Sequence, residues 1–368
     1  MGGSNKSLES IVSMLRIPET EFYIVTLSNY TPNDPYYSVF ANRLVHLSGL
    51  YKMCVRNTVI RKTLNALKNF GHLDVWNSLY AYEATRLQRR FCFDKVIGFE
   101  ESYATWFASH FNTYKIAWMH CDYNSYRIAS NNLDESKMYA RFDKIVCVSQ
   151  FAARVFIENY PHLCDRVSCI YNLIDVDGVT SASLCAAKEM EGEEKELFTI
   201  VSVGRFVGVK QFHLIPSFAK RMIDLVPNLK FRWYIIGAGE SALIALCRQQ
   251  VRNSKLDNHV VLLGAQNNPY PYIRKANLLV CTSQTESWSY VINEAKILHT
   301  PVVTLKCGSS EEVVEPDLGL IVDDQELPIT LVKLIQNKND EYTRIKAGVE
   351  QYRYNNDSIM QDLIQLFN

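Results

Sequence analysis

The sequence contains no apolar stretch approaching the roughly 18 residues that cross a bilayer as a helix. Its start, "MGGSNKSLESIVSML", lacks the basic and apolar regions of a secretion signal. A soluble chain, or one that at most sits on a membrane surface, is expected. Net charge is also absent, with 39 Lys and Arg against 39 Asp and Glu, so no global field draws the chain to nucleic acid and only local patches remain. The 10 cysteines form no Cys-x-x-Cys pair and no ligand-like Cys/His spacing, which excludes the usual structural zinc sites and leaves reduced core thiols of a cytosolic protein. The dinucleotide fingerprint is incomplete. In "YIIGAGES" Gly237 and Gly239 are present, but Ala242 holds the last glycine position.

What is present is ordinary for packed protein: 48% hydrophobic and 21% charged residues in a chain of 368, too long for one core. Short β-branched or aromatic runs recur with helix-compatible segments between them, which predicts parallel sheets covered by helices. The runs are 21–27, 94–99, 114–120, 143–149 and 166–172 in the first half. In the second they are 198–204, 231–237, 259–264, 277–283, 301–306 and 319–324. Between them lies "VDGVTSASLCAAKEMEGEEKE" (176–196), small and polar, then acidic, which reads as a linker. The expected division is an N-terminal Rossmann-like domain over 1–175, the linker, a second Rossmann-like domain over 197–340 and a helical segment over 341–368.

Ligands of open α/β sheets bind at the carboxyl ends of strands, so the residues after each run carry the chemistry. "VSVGRFVGVKQ" offers Gly204, Arg205 and Lys210, two cations in a glycine-containing turn that suit a diphosphate or, equally, a solvated surface. "TESWSYVINEAKIL" supplies Glu286 in a loop and Glu294 in the following helix, which Ser287 or Ser289 can cap; both carboxylates suit sugar hydroxyls, or an exposed helix start. "DVD" (Asp175 to Asp177) is either a metal pair or part of the interdomain turn. His120 and Asp122 follow the run 114–120. Segment 51–93 carries eight Lys or Arg (Lys52, Arg56, Arg61, Lys62, Lys68, Arg86, Arg89, Arg90) against Asp74 and Glu83, a face for anionic lipid or simply for water.

In their order and spacing, Arg205 and Lys210, the 237–239 turn, the Glu-x7-Glu pair and "PVVTLKCGSSEEVVE" make residues 198–324 resemble the second domain of retaining glycosyltransferases of family 4, which have the two-domain α/β GT-B fold with sheets facing across a cleft. "FDKIVCVSQFAARVFIENYP", "VSCIYNLIDVD" and "KIAWMHCDY" resemble segments of that family's first domain. The resemblance implies a hexosyl or N-acetylhexosaminyl transferase that uses a UDP- or GDP-sugar without cofactor or metal. Arg205 and Lys210 would hold the diphosphate. Glu286 with Ser287, Trp288, Ser289 and Tyr290 would hold the sugar, and Glu294 the ribose. Gly204, Gly237, Gly239 and Asn267 would line the donor site, with the base near 264–270. Gly2, Gly3, Lys6, His120 and Asp122 would form the acceptor side, His120 with a catalytic part. The acceptor would be a glycan or lipid-linked glycan of bacterial surface polysaccharide, met in the cytoplasm or at the inner face of its membrane. A non-catalytic nucleotide-sugar-binding or partner-stabilising protein is the alternative.

Two departures from the family pattern stand out. His299 replaces the glycine two residues before Pro301, which predicts a different helix-to-strand turn. A relative would also carry a strand before the "GGSNKSL" loop, so either the true start lies upstream of Met1 or the first domain is altered in its sheet.

Overall fold

A computed structural model describes residues 3–27, 43–69, 75–130, 134–192, 194, 196–336 and 340–368. The chain forms two compact units: Met1–Val148 with Ala152–Leu173 and Asp357–Asn368, and Ser149–Phe151 with Ile174–Asn356.

The second unit is built on a six-stranded sheet in the order β12-β11-β10-β7-β8-β9, every pair parallel. Its strands are β7 (Phe198–Val203), β8 (Phe231–Ile236), β9 (Val260–Gly264), β10 (Leu278–Cys281), β11 (Val302–Leu305) and β12 (Gly319–Val322). Helices cover both faces, so the central strands are mostly apolar and alternate residues feed two cores. Ile200, Trp233, Val280 and Val303 enter one of these cores. Val201, Tyr234, Leu279 and Val302 enter the other. Polar groups inside are matched: Trp233 Nε1 donates to Ser202 Oγ at 3.0 Å, and Ser202 Oγ to the Val280 carbonyl at 2.6 Å. The strand order reverses between β7 and β10, the point at which open α/β sheets hold ligands.

The first unit has a four-stranded parallel sheet, β3 (Lys95–Gly98), β4 (Tyr114–Met119), β5 (Lys144–Cys147) and β6 (Val167–Cys169), and a separate parallel pair, β1 (Ile24–Val25) and β2 (Leu44–Val45). Among the described residues no strand is hydrogen-bonded between the pair and the larger sheet. The run 21–27 thus yields only two strand residues, and β2 carries no clear signal in the sequence. "GSNKSL", expected as a loop, begins the helix Gly3–Met14.

The expected linker is a packed element. Asp175 Oδ1 accepts the Gly178 N–H at 2.9 Å and caps the helix Val176–Ala182. Val179, Ala187 and Met190 then join the core of the second unit, so three apolar side chains spaced along a polar segment anchor it. Asp175 thereby serves as a helix cap. The C-terminal segment divides as well. The helix Glu341–Gln351 stays with the second unit, whereas Asn356–Phe367 packs on the first, where Lys95 Nζ donates to the terminal carbonyls of Leu366 and Phe367 at 3.3 and 2.7 Å.

His299 adopts φ +58°, the left-handed conformation that favours glycine, while its Nδ1 lies 2.7 Å from the Val349 carbonyl and its own carbonyl accepts from Lys346 Nζ at 2.7 Å. His299→Val, which puts a β-branched residue in that conformation and deletes the hydrogen bond, is expected to cost about 2 kcal/mol. His299→Gly should stay near neutral. Urea unfolding midpoints of the two variants check this.

Candidate functional site

At the switch point the loops after β7, β8, β10 and β11 are tied to one another through their backbones. The Gly204 N–H donates to the Ile236 carbonyl at 3.0 Å, Phe206 N–H to Ala238 at 2.8 Å, and Glu240 N–H to Phe206 at 2.7 Å. These bonds need bare backbone. A Cβ on Gly237, whose φ is +154°, would overlap the Gly204 carbonyl, and one on Gly239 would overlap that of Phe206. The partial glycine fingerprint therefore serves loop-to-loop contact, which explains why a third glycine is dispensable.

Lys210 ends a short 3-10 turn, Gly208–Lys210, and its Nζ forms an ion pair with Glu286 Oε1. The same oxygen accepts from Ser283 Oγ at 2.6 Å. Backbone contacts back up the pair: Thr282 Oγ1 donates to the Lys210 carbonyl and Gln284 N–H to that of Val209, both at 2.8 Å. From the far side, Ser309 N–H donates to the Glu286 carbonyl at 2.9 Å, and Gly308, at φ +35°, lies too close to that carbonyl to bear a Cβ. Glu286 is thus fixed by three loops. Burial alone would lower the Lys210 pKa, but the Glu286 carboxylate and Cys281 outweigh it, so the ammonium sits above its ordinary range and stays charged. Arg205, from the same turn, is exposed. The sequence assigned Lys210 and Glu286 to different parts of a ligand; in the free protein they hold each other.

Ser289 precedes the helix Tyr290–Ile297 but does not cap it. Its buried hydroxyl and that of Ser309, ahead of Ser310–Val313, lack a hydrogen-bond partner among the described residues. Ser287 is buried beside them, and Trp288 and Tyr290 are half-buried. Ser283 and Ser309 are site residues that sequence reading passed over, for a serine in a serine-rich turn carries no distinguishing signal.

Glu294, only 3% exposed, accepts a hydrogen bond from Tyr270 Oη at 3.1 Å. Tyr270 begins the helix Tyr270–Lys275, and its N–H donates to Asn268 Oδ1 at 3.2 Å. Through this tyrosine the 264–270 turn reaches the carboxylate four residues inside the other helix. Asn267 is exposed in that turn.

In the first unit, His120 follows β4 with its ring 4.7 Å from Phe99 and stacked at 6.5 Å on Trp118, centroid to centroid. Its Nε2 is enclosed and has no hydrogen-bond partner among the described residues. Burial lowers its pKa to about 3, so the imidazole is neutral throughout the physiological range. In this state the imidazole can donate or accept a hydrogen bond, and it takes up a proton only reluctantly. Asp122 is likewise committed, since its Oδ1 accepts the Asn124 N–H at 3.1 Å and its Oδ2 accepts from Ser125 Oγ at 2.8 Å, capping the helix Tyr123–Ala129. Gly3 and Lys6 lie in the first turns of the helix Gly3–Met14, where Ser4 Oγ donates to Glu100 Oε1 at 3.3 Å. Gly2 falls outside the described residues.

Residues 198–337 match the family model described as Glycosyl transferases group 1. Over 185 residues the chain is 28% identical to an uncharacterized glycosyltransferase of Methanocaldococcus jannaschii, covering 50% of this chain and 44% of that one. Over 220 residues it is 26% identical to the N-acetylgalactosamine-N,N'-diacetylbacillosaminyl-diphospho-undecaprenol 4-alpha-N-acetylgalactosaminyltransferase of Campylobacter jejuni, covering 58% of this chain and 53% of that one. The chain spans about half the length of these curated relatives. Among solved structures, Anabaena HepE in complex with UDP-glucose superposes with a TM-score of 0.74 at 17% identity, over 100% of this chain and 96% of its own. The lipopolysaccharide outer core galactosyltransferase WaaB, in its apo form, gives 0.67 at 13% identity, over 99% and 94%. The fold is that of the GT-B glycosyltransferases: α/β, with parallel sheets in two domains.

Proposed function

We propose that the chain moves a sugar from a nucleotide-sugar to a glycan or lipid-linked glycan with retention of anomeric configuration, in the synthesis of a bacterial surface polysaccharide. The observation that carries this is the Lys210–Glu286 pair, held by the loops after β7, β10 and β11 at the switch point of a sheet that matches the group 1 family. Lys210 and Arg205 would meet the diphosphate and stabilise the charge that develops on it as the glycosidic bond breaks. The orphan hydroxyls of Ser289 and Ser309 are donors for the same oxygens or for the sugar. Glu286 accepts from sugar hydroxyls, Glu294 from the ribose. A neutral His120 hydrogen-bonds the acceptor, and the leaving phosphate takes the acceptor's proton, which fits attack on the face the donor leaves.

A thermal-shift screen of UDP- and GDP-sugars tests this, because a ligand bound only by the native state raises the melting point by mass action. Stabilisation by one donor, followed by its transfer or hydrolysis, supports the enzyme. Binding without turnover points to the non-catalytic alternative, and no stabilisation by any of them overturns the donor site.

Placement at a membrane surface is part of the proposal. Glu83 is buried and paired with Arg86 at 2.8 Å, so its charge is matched by that arginine. Arg56, Arg61 and Lys62 are exposed beside Met53 and Val59, the last 74% exposed. Vesicles containing anionic lipid should float the protein at low salt and release it as salt is raised; absence of binding at low salt removes this element.

A further inference from the structure

Glu101 is a buried carboxylate that the proposed chemistry does not use. It lies just beyond β3 and is 7% exposed. Among the described residues, the groups that bear on it most are Cys121 and the main-chain N–H groups around it, none of them a cation. A carboxylate withdrawn from water without a cation costs stability, so its presence calls for a gain elsewhere. Its Oε1 accepts the main-chain N–H of His120 at 2.5 Å and of Cys121 at 2.8 Å. Two residues earlier, Phe99 packs against the His120 ring. One short segment therefore grips His120 by backbone and ring together.

The turn that carries the carboxylate is built for this. Ser102 has φ +75°, a conformation that non-glycine residues reach only under strain, and such strain persists where surrounding structure imposes it. Gly98 lets the helix Tyr103–Ala108 close over the turn, since a Cβ there would come within 2.7 Å of Thr105 Cα. Thr105 Oγ1 donates back to the Glu100 carbonyl at 2.5 Å.

We infer that Glu101 is a positioning residue for His120, fixing the turn after β4 so that the imidazole is presented to the acceptor at a set place. This rests on the proposed transfer reaction for its purpose, though not for its geometry. Burial pushes the Glu101 pKa up, and the titratable groups around it, Cys121, Tyr139 and Cys147, are themselves pushed up and carry no positive charge.

Two variants separate position from charge. Glu101→Asp is one methylene too short to reach both N–H groups; Glu101→Gln keeps the length and an acceptor. Glu101→Asp is expected to lower kcat about 10- to 100-fold with donor affinity unchanged, as misplacement of a reacting group does. Glu101→Gln should stay within about threefold, and in a His120→Ala background Glu101→Asp should add no further loss. The spectroscopic arm needs no turnover: by NMR the His120 imidazole should stay neutral at about pH 5 in wild type and Glu101→Gln, and titrate nearer the ordinary 6.5 in Glu101→Asp. In the wild-type chain alone, the His120 and Cys121 amide signals should move together in one titration above the usual carboxylate range. Wild-type kcat in Glu101→Asp, full additivity with His120→Ala, an unmoved His120 titration, or amides that titrate separately would each overturn the inference. If the wild-type chain transfers no sugar, the functional reading fails while the NMR measurements still decide the role of Glu101.

Discussion

Alanine at Lys210 is expected to lower kcat/KM for sugar transfer by about 100- to 1,000-fold, the range measured when a fixed group is removed from a developing oxyanion. The size of the effect follows from the surroundings. Glu286 cannot leave with its partner, because Ser283 holds its carboxylate and Ser309 its carbonyl. The variant therefore loses a cation at the diphosphate and keeps a half-buried carboxylate facing the donor, so repulsion adds to the lost attraction. Arginine should rescue little, since its planar fork does not reproduce a compact ammonium between one carboxylate and one phosphate oxygen. A cycle with Glu286→Ala should show strong coupling, the double variant losing much less than the product of the single losses. Because Glu286 raises the Lys210 pKa above its ordinary value, Lys210 stays charged through neutral and mildly alkaline pH, and any basic limb of the rate profile there belongs to another group. Activity of Lys210→Ala within threefold of wild type would remove Lys210 from the chemistry.

Sequence and structure agree most closely where periodicity is strong. Ile200, Trp233 and Val280 lie in short, mostly apolar runs rich in β-branched and aromatic residues between helical segments, the pattern of buried strands. Arg205, Lys210 and Glu286 are legible for a different reason, because strand ends of a doubly wound sheet gather at one place whatever lies between them. What sequence alone misses is set by tertiary contact. Val179 and Met190 look like scattered apolar residues in a polar stretch until the core of the second unit receives them. His299 breaks the glycine rule and still holds φ +58°, since the Val349 carbonyl and Lys346 fix it from a helix some fifty residues later in the chain. Asp122 looks free to face a ligand until its two oxygens are counted against Asn124 and Ser125. Glu101 carries no motif at all, because its partners are main-chain groups that any sequence possesses.

Glutamine at Glu294 is expected to weaken donor binding about 10- to 100-fold, the span of charge-assisted hydrogen bonds lost from a buried acceptor. The carboxylate is 3% exposed, withdrawn from bulk water, and accepts a hydrogen bond from Tyr270. If the carboxylate serves ribose, the loss has a signature that general weakening lacks. Wild-type protein should prefer a ribonucleotide-sugar over its 2′-deoxy counterpart, because the deoxy ligand forgoes a charge-assisted hydrogen bond, and Glu294→Gln should lose most of that preference. Tyr270→Phe should narrow it only in part, since the carboxylate keeps its charge but loses the hydroxyl that orients it. Transfer rate at saturating donor should change little in either variant, for the ribose is held alike in ground and transition states. Equal weakening toward ribo and deoxy donors in Glu294→Gln would place the carboxylate elsewhere on the ligand, most simply on the sugar beside Glu286, and the division of labour between the two carboxylates would have to be redrawn.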